Sequence, residues 1–567
     1  MNRVRLRRTS WPGALVLTAA YALPVFVYLN RFLIPDYSYD TLNYHLFNGW
    51  RGATHFLPFG PSEFFPAAAA NVPPFFDSLF VLTRLLLGYR LGTSLGLLAY
   101  LAAVLLLTKI TRRLCPAANQ RLNLFHALVI LYAATNLELL FQLATYFVDI
   151  LNTTVLLASF YCLLLLNDAL EHDKPWRRWL IVMSALCGIS VLGKTTSLVF
   201  VGPELAVAAW IILRAIRRQD GLRRVGWLAL AFALTFGPVM TIWGANSVLT
   251  GNPVFPLFNG IFHSPYTSAM TVSDTNVGGT NLLSRLLWPV YSAAHPARLA
   301  EPHSLFTDYK LTGTWLAAIS LLAISRLTGR GMTRALNIAL FSYLGGVLLW
   351  AAVFGVARYA SFALMLGPLL FIPVMDYAKA ALRWRAFQLG AAWLVGAVLL
   401  VQVVRVAAFD FQYDMSWRPN LIHDQAMYLN EARLLFDNTE ELPLSKDGVA
   451  SIQIVVDCAA PTSGYAVVSA LRDKPMVSLV ENPVYLPITT NREYRKAVLR
   501  SLQRVYPGRR TFQFAAFATS NGLDNSEAPC EQALKDNGAK ILSQSVLPDF
   551  VGYRFQGVEL TVGVITL

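Results

Sequence analysis

Long apolar runs recur through the first 408 residues and alternate with short polar segments. A helix pairs every backbone polar group within its own segment, and roughly 20 apolar residues in a helix cross the hydrocarbon core of a bilayer. The pattern therefore predicts about eleven transmembrane helices. The runs are Trp11 to Leu33, Leu91 to Leu107, Leu124 to Leu143, Ile150 to Leu166, Trp179 to Leu192, Leu198 to Leu213, Val225 to Leu249, Leu311 to Ile324, Ala335 to Phe354, Ser361 to Met375 and Phe387 to Ala408.

The first apolar run has two interpretations. Four arginines lie within the first eight residues, and Ala20-Tyr21-Ala22 resembles the cleavage site of a signal peptide. The run nevertheless continues to Leu33 and has the length of a membrane span. We therefore predict that it is an uncleaved first helix.

Basic residues fill every second connection between the runs, on the same side as the N-terminal arginines. The positive-inside rule places such loops in the cytoplasm. The N-terminus is therefore predicted to be cytoplasmic, with the two long connections (35–90 and 250–310) and everything after Ala408 outside. The basic clusters are Lys109/Arg112/Arg113/Arg121, Lys174/Arg177/Arg178, Arg214/Arg217/Arg218/Arg223/Arg224, Arg326/Arg330/Arg334 and Lys379/Arg383/Arg385.

Residues 409–567 differ in character from the preceding part of the chain. Their charge density is higher, and short β-like runs alternate with helical stretches. The predicted β-like runs are Ala450 to Val456, Met476 to Val480, Thr511 to Phe517 and Gly557 to Ile565. This pattern predicts a soluble α/β domain outside the membrane, after a transmembrane domain spanning residues 1–408. Cys458 and Cys530 both lie in this exported domain and are candidates for a disulfide, although their spacing does not fix the required geometry.

Composition agrees with a bilayer environment. The chain is 55% hydrophobic and 14% charged, with a mean hydropathy of +0.47. A net charge of +14 suits nucleic-acid binding, but the lysines and arginines cluster between apolar runs, as topology determinants do. We therefore expect membrane lipid around the chain and no nucleic-acid partner.

The segment after the first run concentrates titratable groups at the mouth of a membrane helix. Asp36, Asp40, Tyr44 and His45 all lie within residues 35–45. Ionisable groups at this depth are costly unless paired or hydrated, which makes them functional candidates. The alternative is interfacial: the tyrosine lies at the headgroup level and Asp40 caps a helix that begins at Thr41.

Three further polar residues interrupt apolar surroundings on the predicted exterior side. Asp149 lies in the turn between the third and fourth runs, where it either serves function or caps the next helix. Lys194 and Arg358 lie on exterior turns, where a cation either snorkels or binds an anion. Gly193-Lys194-Thr195 lacks the upstream glycines and preceding strand of a nucleotide-binding phosphate loop.

The later exterior connection contains Gly-Asn-Pro-Val-Phe-Pro at residues 251–256, including Asn252 and Phe255. Prolines interleaved with aromatic residues suit either a rigid segment lining a cavity or a simple turn with an aromatic anchor. The exterior histidines form no helix-spaced pair, so the sequence indicates no metal site. Whether a divalent metal assists is left open.

These features form a familiar ordered set. Taken in their order along the chain, they resemble the GT-C superfamily, and most closely the bacterial relatives of protein O-mannosyltransferases and lipid A aminoarabinose transferases. The resemblance covers about residues 11 to 375. The features are the first-loop residues Asp36, Asp40, Tyr44 and His45, the pair Tyr146 and Asp149, the Gly-Lys-Thr at Lys194, the loop with Asn252 and Phe255, and Arg358-Tyr359.

The resemblance implies an inverting glycosyltransferase that takes a sugar from a polyprenyl-phosphate donor. In that family an acid of the first exterior loop acts as general base or organises the acceptor. The resemblance assigns this role to Asp40 and, less securely, to Asp36. It assigns the role of the acid in the second exterior turn to Asp149. The family usually has adjacent acids in the first loop, whereas Asp36 and Asp40 are four apart. Which of the two is the base is therefore left open.

The remaining site residues follow from the same resemblance. Lys194, Arg358 and Tyr359 are candidates for binding the donor phosphate, and no soluble nucleotide sugar is then required. The candidates for lining the substrate cavity are Tyr44, His45, Tyr146, Asn252 and Phe255. The implied location is the bacterial inner membrane, with residues 409–567 in the periplasm and a glycan, lipid or protein as acceptor.

Two other classes of function fit an exterior membrane site for lipid-linked glycans. A transporter or flippase should show inverted repeats and polar groups near the bilayer midplane, and the sequence shows neither pattern. An O-antigen ligase or polymerase should depend on exterior Arg and His residues rather than on Asp40.

Overall fold

The computed structural model describes most of the helical region and parts of the C-terminal region. Asp36, most of the run from Phe387 to Ala408, Cys458, Cys530 and the predicted domain boundary lie outside the described residues. The described residues are 10–32, 40–55, 57, 72–115, 122–216, 221–255, 257–266, 278–295, 298, 309–329, 331–381, 396–397, 400–401, 404, 444–457, 471, 474–478, 500, 502–519, 534, 539–547 and 558–566.

A long series of helices precedes one β-sheet. Short helical turns of other types lie at Thr41–His45, Thr195–Ser197, Ala357–Ala360 and Gly367–Leu370. The α-helices are α1 (Trp11–Arg31), α2 (Leu46–Thr54), α3 (Phe75–Gly92), α4 (Ser94–Leu114), α5 (Leu124–Ala134), α6 (Leu137–Leu140), α7 (Asp149–Glu171), α8 (Arg177–Gly193), α9 (Leu198–Ile216), α10 (Gly221–Thr250), α11 (Asn259–Phe262), α12 (Leu282–Leu286), α13 (Trp288–Tyr291), α14 (Lys310–Thr328), α15 (Arg334–Val353), α16 (Ser361–Leu366), α17 (Phe371–Ala381) and α18 (Lys446–Ser451).

Every predicted apolar run that ends at or before Met375 is helical for most of its length. Within the described part of the chain, 8 helical segments are long and apolar enough to cross a membrane. Two other runs form shorter helices, since α8 has 17 residues and α5 has 11. The predicted polytopic helical fold is confirmed.

Contacts between sequence-distant helix termini define two ends of the helix bundle. At one end, Arg113 of α4 forms a 3.1 Å ion pair with Asp168 of α7. At the other, the buried Lys310 at the start of α14 donates a 2.8 Å hydrogen bond to the carbonyl oxygen of Thr135, after α5. We call these the basic end and the loop end.

The first long connection, predicted as an exterior loop, contains the two helices α2 and α3. They pack closely because Gly49 of α2 has no side chain: a Cβ there would lie 2.5 Å from the carbonyl oxygen of Asp77 and 2.3 Å from a methyl group of Val81. Helix α3 itself is interrupted at Gly88, whose φ of +79° is accessible to glycine at little cost.

The run from Leu124 to Leu143 was expected to form one span, but it breaks between α5 and α6. The Thr135 hydroxyl donates to the Tyr132 carbonyl at 2.7 Å, and the Asn136 side chain accepts from the backbone N–H of Leu139 at 3.4 Å. Such side-chain bonds compete with the helix ladder and start a new helix. Apolarity alone does not reveal the break.

The C-terminal region contains a five-stranded mixed sheet in the order β2-β1-β3-β5-β4. β1 pairs in parallel with β2 and β3, whereas β5 pairs antiparallel with β3 and β4. Val456, Phe514 and Ile565 belong to a separate hydrophobic core on this sheet. The strands are β1 (Ile454–Asp457), β2 (Met476–Ser478), β3 (Thr511–Thr519), β4 (Lys540–Leu547) and β5 (Val558–Thr566).

Four of these strands, β1, β2, β3 and β5, overlap the predicted β-like runs. β4 was not predicted, because its sequence mixes polar and apolar residues without the alternation of a half-buried strand. Its place at the edge of the sheet explains that composition. The predicted combination of a helical membrane fold with a small C-terminal sheet is confirmed.

Candidate functional site

Asp40 and Arg358 form an ion pair at the loop end of the bundle. Arg358 Nη1 donates to Asp40 Oδ2 at 2.5 Å, and the side chains are 10% and 15% exposed for Arg358 and Asp40. Asp40 directly precedes the π-helical turn Thr41–His45, but its side chain makes no capping hydrogen bond. The capping interpretation of Asp40 is therefore wrong, and its partner is the arginine.

A second acid–cation pair lies between α7 and α8. Lys194, directly after α8, donates to Oδ1 of Asp149, the first residue of α7, and the Gln142 amide donates to Oδ2 at 3.2 Å. Asp149 is 3% exposed and Lys194 is 14% exposed. Asp149 does not cap α7, since Val148 holds that position. The buried carboxylate is thus satisfied by two side chains from other parts of the chain.

Tyr359 joins the two pairs into one cluster. Its ring centroid lies 4.5 Å from Lys194 Nζ and 5.3 Å from Arg358 Cζ. Arg358 Cζ also lies over the Phe147 ring, 5.6 Å from its centroid. Cations over aromatic faces are held by electrostatic attraction to the ring. The two predicted phosphate-binding cations therefore lie on one aromatic residue, each paired with a predicted catalytic acid.

A third acid, Asp77, belongs to the same neighbourhood. It lies in the first turn of α3, and His45 Nδ1 is 2.6 Å from its Oδ1, with both side chains 4% exposed. The His45 ring lies 5.3 Å from the Phe147 ring that also supports Arg358. Asp77 was missed in the sequence because it lies in a connection expected to be a loop. The available signal was a lone acid within an apolar helical run.

The two acids of the first connection differ in their electrostatics. Burial opposes ionisation of Asp40, but the positive charges of Arg358 and His45 and hydrogen bonds from Arg358 and Tyr44 outweigh it and lower the pKa of Asp40. Burial raises the pKa of Asp77, and the His45 charge offsets only part of that effect. Asp40 is therefore ionised at neutral pH.

The predicted cavity residues lie in different surroundings. The Tyr44 ring lies tilted against the His45 ring, with centroids 4.3 Å apart, so both belong to the cluster. Tyr146 is buried and packs edge-on against Phe80 at 5.7 Å. Its ring is part of the packing between α3 and the start of α7.

The loop residues Asn252 and Phe255 are buried. The Asn252 side chain donates to the Leu257 carbonyl at 2.9 Å and accepts from the Val254 backbone N–H at 3.0 Å. Among the described residues, no hydrogen bond or ion pair joins Asn252 to the charged cluster. Its observed contacts organise the loop after α10.

The described residues also bear on metal binding. Within them, no group of three or more His, Cys, Asp or Glu side chains has an arrangement suited to a metal ion. The side chains of the cluster are carboxylates, an imidazole and two cations that lie against aromatic rings. Such a set can accept a proton from one substrate group and bind an anionic group beside it.

No family model and no curated protein sequence matches the chain. The fold is nevertheless similar to solved structures. The crystal structure of ArnT from Cupriavidus metallidurans bound to undecaprenyl phosphate matches over 97% of this chain and 97% of ArnT, with a TM-score of 0.50 and 14% identity. The apo form of the same ArnT matches over 96% and 97%, with a TM-score of 0.49 and 14% identity.

An archaeal protein is also similar. The Archaeoglobus fulgidus oligosaccharyltransferase, tethered to an acceptor peptide, matches over 90% of this chain and 69% of its own, with a TM-score of 0.48 and 12% identity. ArnT and the oligosaccharyltransferase are both GT-C proteins. The likeness to undecaprenyl-phosphate-bound ArnT shows that this chain has the GT-C fold, in agreement with the resemblance found in its sequence motifs.

Proposed function

We propose that this chain, which has the GT-C fold, is an integral membrane glycosyltransferase that moves a sugar from a polyprenyl-phosphate donor to an acceptor with inversion. The observation that carries the proposal is the joining of Asp40–Arg358 and Asp149–Lys194 through Tyr359. One cluster thereby combines a base for the acceptor with cations for a phosphate. The undecaprenyl phosphate bound to ArnT supports this class of donor.

The ion pair between Asp40 and Arg358 suggests how the two substrates engage the site. A donor phosphate that binds Arg358 shares the single positive charge of the guanidinium with Asp40, so the hold of Arg358 on Asp40 weakens. Asp40 then becomes available to the acceptor. In this scheme donor binding prepares the base, because both compete for the same arginine.

The transfer step uses the carboxylate and the cations together. The acceptor oxygen attacks C1 of the sugar and loses its proton to Asp40, while the C1–O bond to the phosphate breaks and leaves its electron pair on the phosphate. A well-placed base contributes ~10² to 10⁴ in rate. Lys194 and Arg358 stabilise the negative charge that develops on the leaving phosphate, and Tyr359 restrains both cations.

The proposed location is the bacterial inner membrane, with the loop end in the periplasm and the N-terminus in the cytoplasm. The concentration of basic residues at the opposite end supports this orientation. The prenyl tail would remain in the lipid beside the helices. The acceptor is a periplasmic or lipid-linked glycan, lipid or protein, with residues 409–567 as its guide.

The test is a transfer assay with purified chain in proteoliposomes and synthetic polyprenyl-phosphate-linked sugars. Wild type should release free polyprenyl phosphate, and Asp40→Asn and Asp149→Asn should each lose at least ~10²-fold in turnover. Asp168→Asn is the matched control, because it removes a paired carboxylate at the basic end. Wild-type turnover in both folded site variants would overturn the site assignment.

The same proteoliposomes separate the other classes of function. A flippase would move the lipid-linked saccharide across the bilayer and leave its phosphate linkage intact. A ligase or polymerase that relies on Arg and His would retain turnover in Asp40→Asn and lose it in Arg358→Lys.

A further inference from the structure

The turn that carries Arg358 is short and lies between two helices. Ala357–Ala360 forms a single 3-10 turn after α15 and directly before α16. A turn of this length makes few hydrogen bonds of its own, so its backbone is restrained less than that of a long helix. The position of the Arg358 guanidinium therefore depends on contacts that reach the turn from other parts of the chain.

One contact comes from the second long connection and reaches the backbone just before the turn. The indole Nε1 of Trp288, in α13, donates to the carbonyl oxygen of Gly355 at 2.9 Å, and the Trp288 side chain is fully buried. Gly355 has a φ of +76°, and a Cβ there would lie 2.6 Å from Cα of Gly278. The second connection is thus packed directly against the backbone that leads to Arg358.

Another contact reaches the residue after the turn from the break between α5 and α6. The Asn136 amide donates to the carbonyl oxygen of Ser361 at 3.3 Å, and the Ser361 hydroxyl donates to the carbonyl oxygen of Arg358 at 2.7 Å. Asn136 and Ser361 are 1% and 2% exposed, so water does not compete for these bonds. Asn136 is therefore joined to the backbone of Arg358 through one serine.

The break holds Asn136 itself in place. The oxygen of its amide accepts from the backbone N–H of Leu139 and caps α6. At the end of α5, the buried ammonium of Lys310 donates to the carbonyl oxygen of Thr135 at 2.8 Å. Carbonyl groups at the C-terminal end of a helix lack partners in the helix, and a cation there is favourable. Asn136 therefore has a fixed position from which it can restrain the Arg358 turn.

We propose that Trp288 and Asn136 are positioning residues for the donor phosphate site, because they hold the Arg358 turn at its two ends. Neither side chain touches the reacting atoms. Both act through the backbone, which keeps the guanidinium beside Asp40 and Tyr359 before the donor arrives. Such preorganisation reduces the entropy that is lost on binding. The proposal rests on the glycosyltransferase function proposed above.

Two substitutions each remove one of these hydrogen bonds. Trp288→Phe removes the indole N–H and keeps an aromatic ring at the position. Asn136→Thr removes the amide donor, whereas the threonine hydroxyl can still accept from the Leu139 N–H and cap α6. The matched controls are Trp176→Phe and Asn123→Thr, which change the residues that directly precede α8 and α5 at the basic end.

Calorimetry with polyprenyl phosphate, on protein in lipid nanodiscs, measures the effect. Each site variant should weaken binding by roughly 2- to 10-fold, the range of one neutral hydrogen bond, and the controls should bind like wild type. In the background Asp40→Asn/Arg358→Gln, which lacks the guanidinium, the site variants should cause no further loss. An equal loss in both backgrounds overturns the proposal. Wild-type affinity in a folded site variant excludes that residue from the positioning role.

A second measurement does not depend on the donor. The Nε–H NMR signal of Arg358, in protein with isotope-labelled arginine and assigned with Arg358→Lys, reports the surroundings of the guanidinium. It should shift in Trp288→Phe and Asn136→Thr and stay in place in the two controls. An unchanged signal in both site variants overturns the proposal even if wild type transfers sugar. If wild type neither binds polyprenyl phosphate nor turns over the donor, the proposed function fails, and this signal still decides whether Trp288 and Asn136 position Arg358.

Discussion

Arg358 reaches Asp40 across 318 residues of sequence, with its Nη1 at 2.5 Å from the carboxylate oxygen. Arg358 lies on the turn before α16, and Asp40 lies just before the π-helical turn that leads into α2. In this structure each residue neutralises the other. An anion that binds Arg358 must therefore compete with Asp40, which makes the pair the most informative place for mutation.

The first prediction concerns the competition for Arg358. Asp40→Asn should abolish transfer but tighten binding of polyprenyl phosphate by up to roughly tenfold, about the strength of one hydrogen bond to a charged group. Binding is measured by calorimetry on protein in lipid nanodiscs, with Asp168→Asn as the reference. Weaker binding of polyprenyl phosphate in Asp40→Asn would contradict this competition and show that donor binding needs the intact Asp40–Arg358 pair.

The second prediction concerns Lys194. Lys194→Ala should weaken binding of polyprenyl phosphate by roughly 10- to 100-fold, because one charge-assisted contact is lost. This variant also leaves Asp149 buried without its cation, which destabilises the fold. The double variant Lys194→Ala/Asp149→Asn removes both charges and should fold while still binding weakly. Wild-type affinity in the double variant would exclude Lys194 from the phosphate site.

Lys109→Ala is the matched control for the loss of a lysine. Lys109 lies near the C-terminal end of α4, and its ammonium lies 5.8 Å from the centroid of the Tyr161 ring. Lys109→Ala therefore loses a cation–aromatic contact, as Lys194→Ala does. Its distance from the loop end should leave polyprenyl phosphate affinity unchanged.

The third prediction concerns the α2–α3 contact. Gly49→Ala should reduce the free energy of unfolding in detergent by roughly 1 to 3 kcal/mol, because the added Cβ would lie 2.5 Å from the carbonyl oxygen of Asp77. The same shift should disturb the His45–Asp77 bond and reduce transfer. Gly202→Ala in α9 is the control, since a Cβ there meets nothing within 4 Å. Equal stability of the two variants would contradict the packing argument.

The fourth prediction concerns pH and stability. The pKa of Asp40 is lowered in the folded chain, so its ionisation stabilises the fold above the ordinary Asp value, about 3.9, and this contribution disappears as pH falls through the folded pKa. The pKa of Asp77 is raised, so its contribution has the opposite sign: it falls as pH rises above that ordinary value, up to the folded pKa.

Thermal unfolding from about pH 3 to 7 measures both effects. The stability of wild type relative to Asp40→Asn should increase as pH rises towards about 3.9 and then stay level, whereas its stability relative to Asp77→Asn should decrease above that pH. Parallel curves for the two variants would show that the acids do not titrate in opposite directions.

Local sequence determined which segments are helical spans and which residue types could carry chemistry. Apolar length and the clustering of arginines are properties of neighbouring residues, so the runs from Trp11 to Met375 were recognised without knowing their partners. The same local rules failed where side chains compete with the helix, as at Thr135 and Asn136. They also failed for the two helices of the first connection.

Only the tertiary structure decided how the polar residues pair. Asp40, Asp149, Lys194 and Arg358 were candidates from their residue types, but nothing in their spacing indicated that each acid would hold one of the cations. Asp77 entered the site because Gly49 lets α2 pack against α3. Pairing depends on distances between segments far apart in the chain, and these distances are set by helix packing rather than by the periodicity of any one helix.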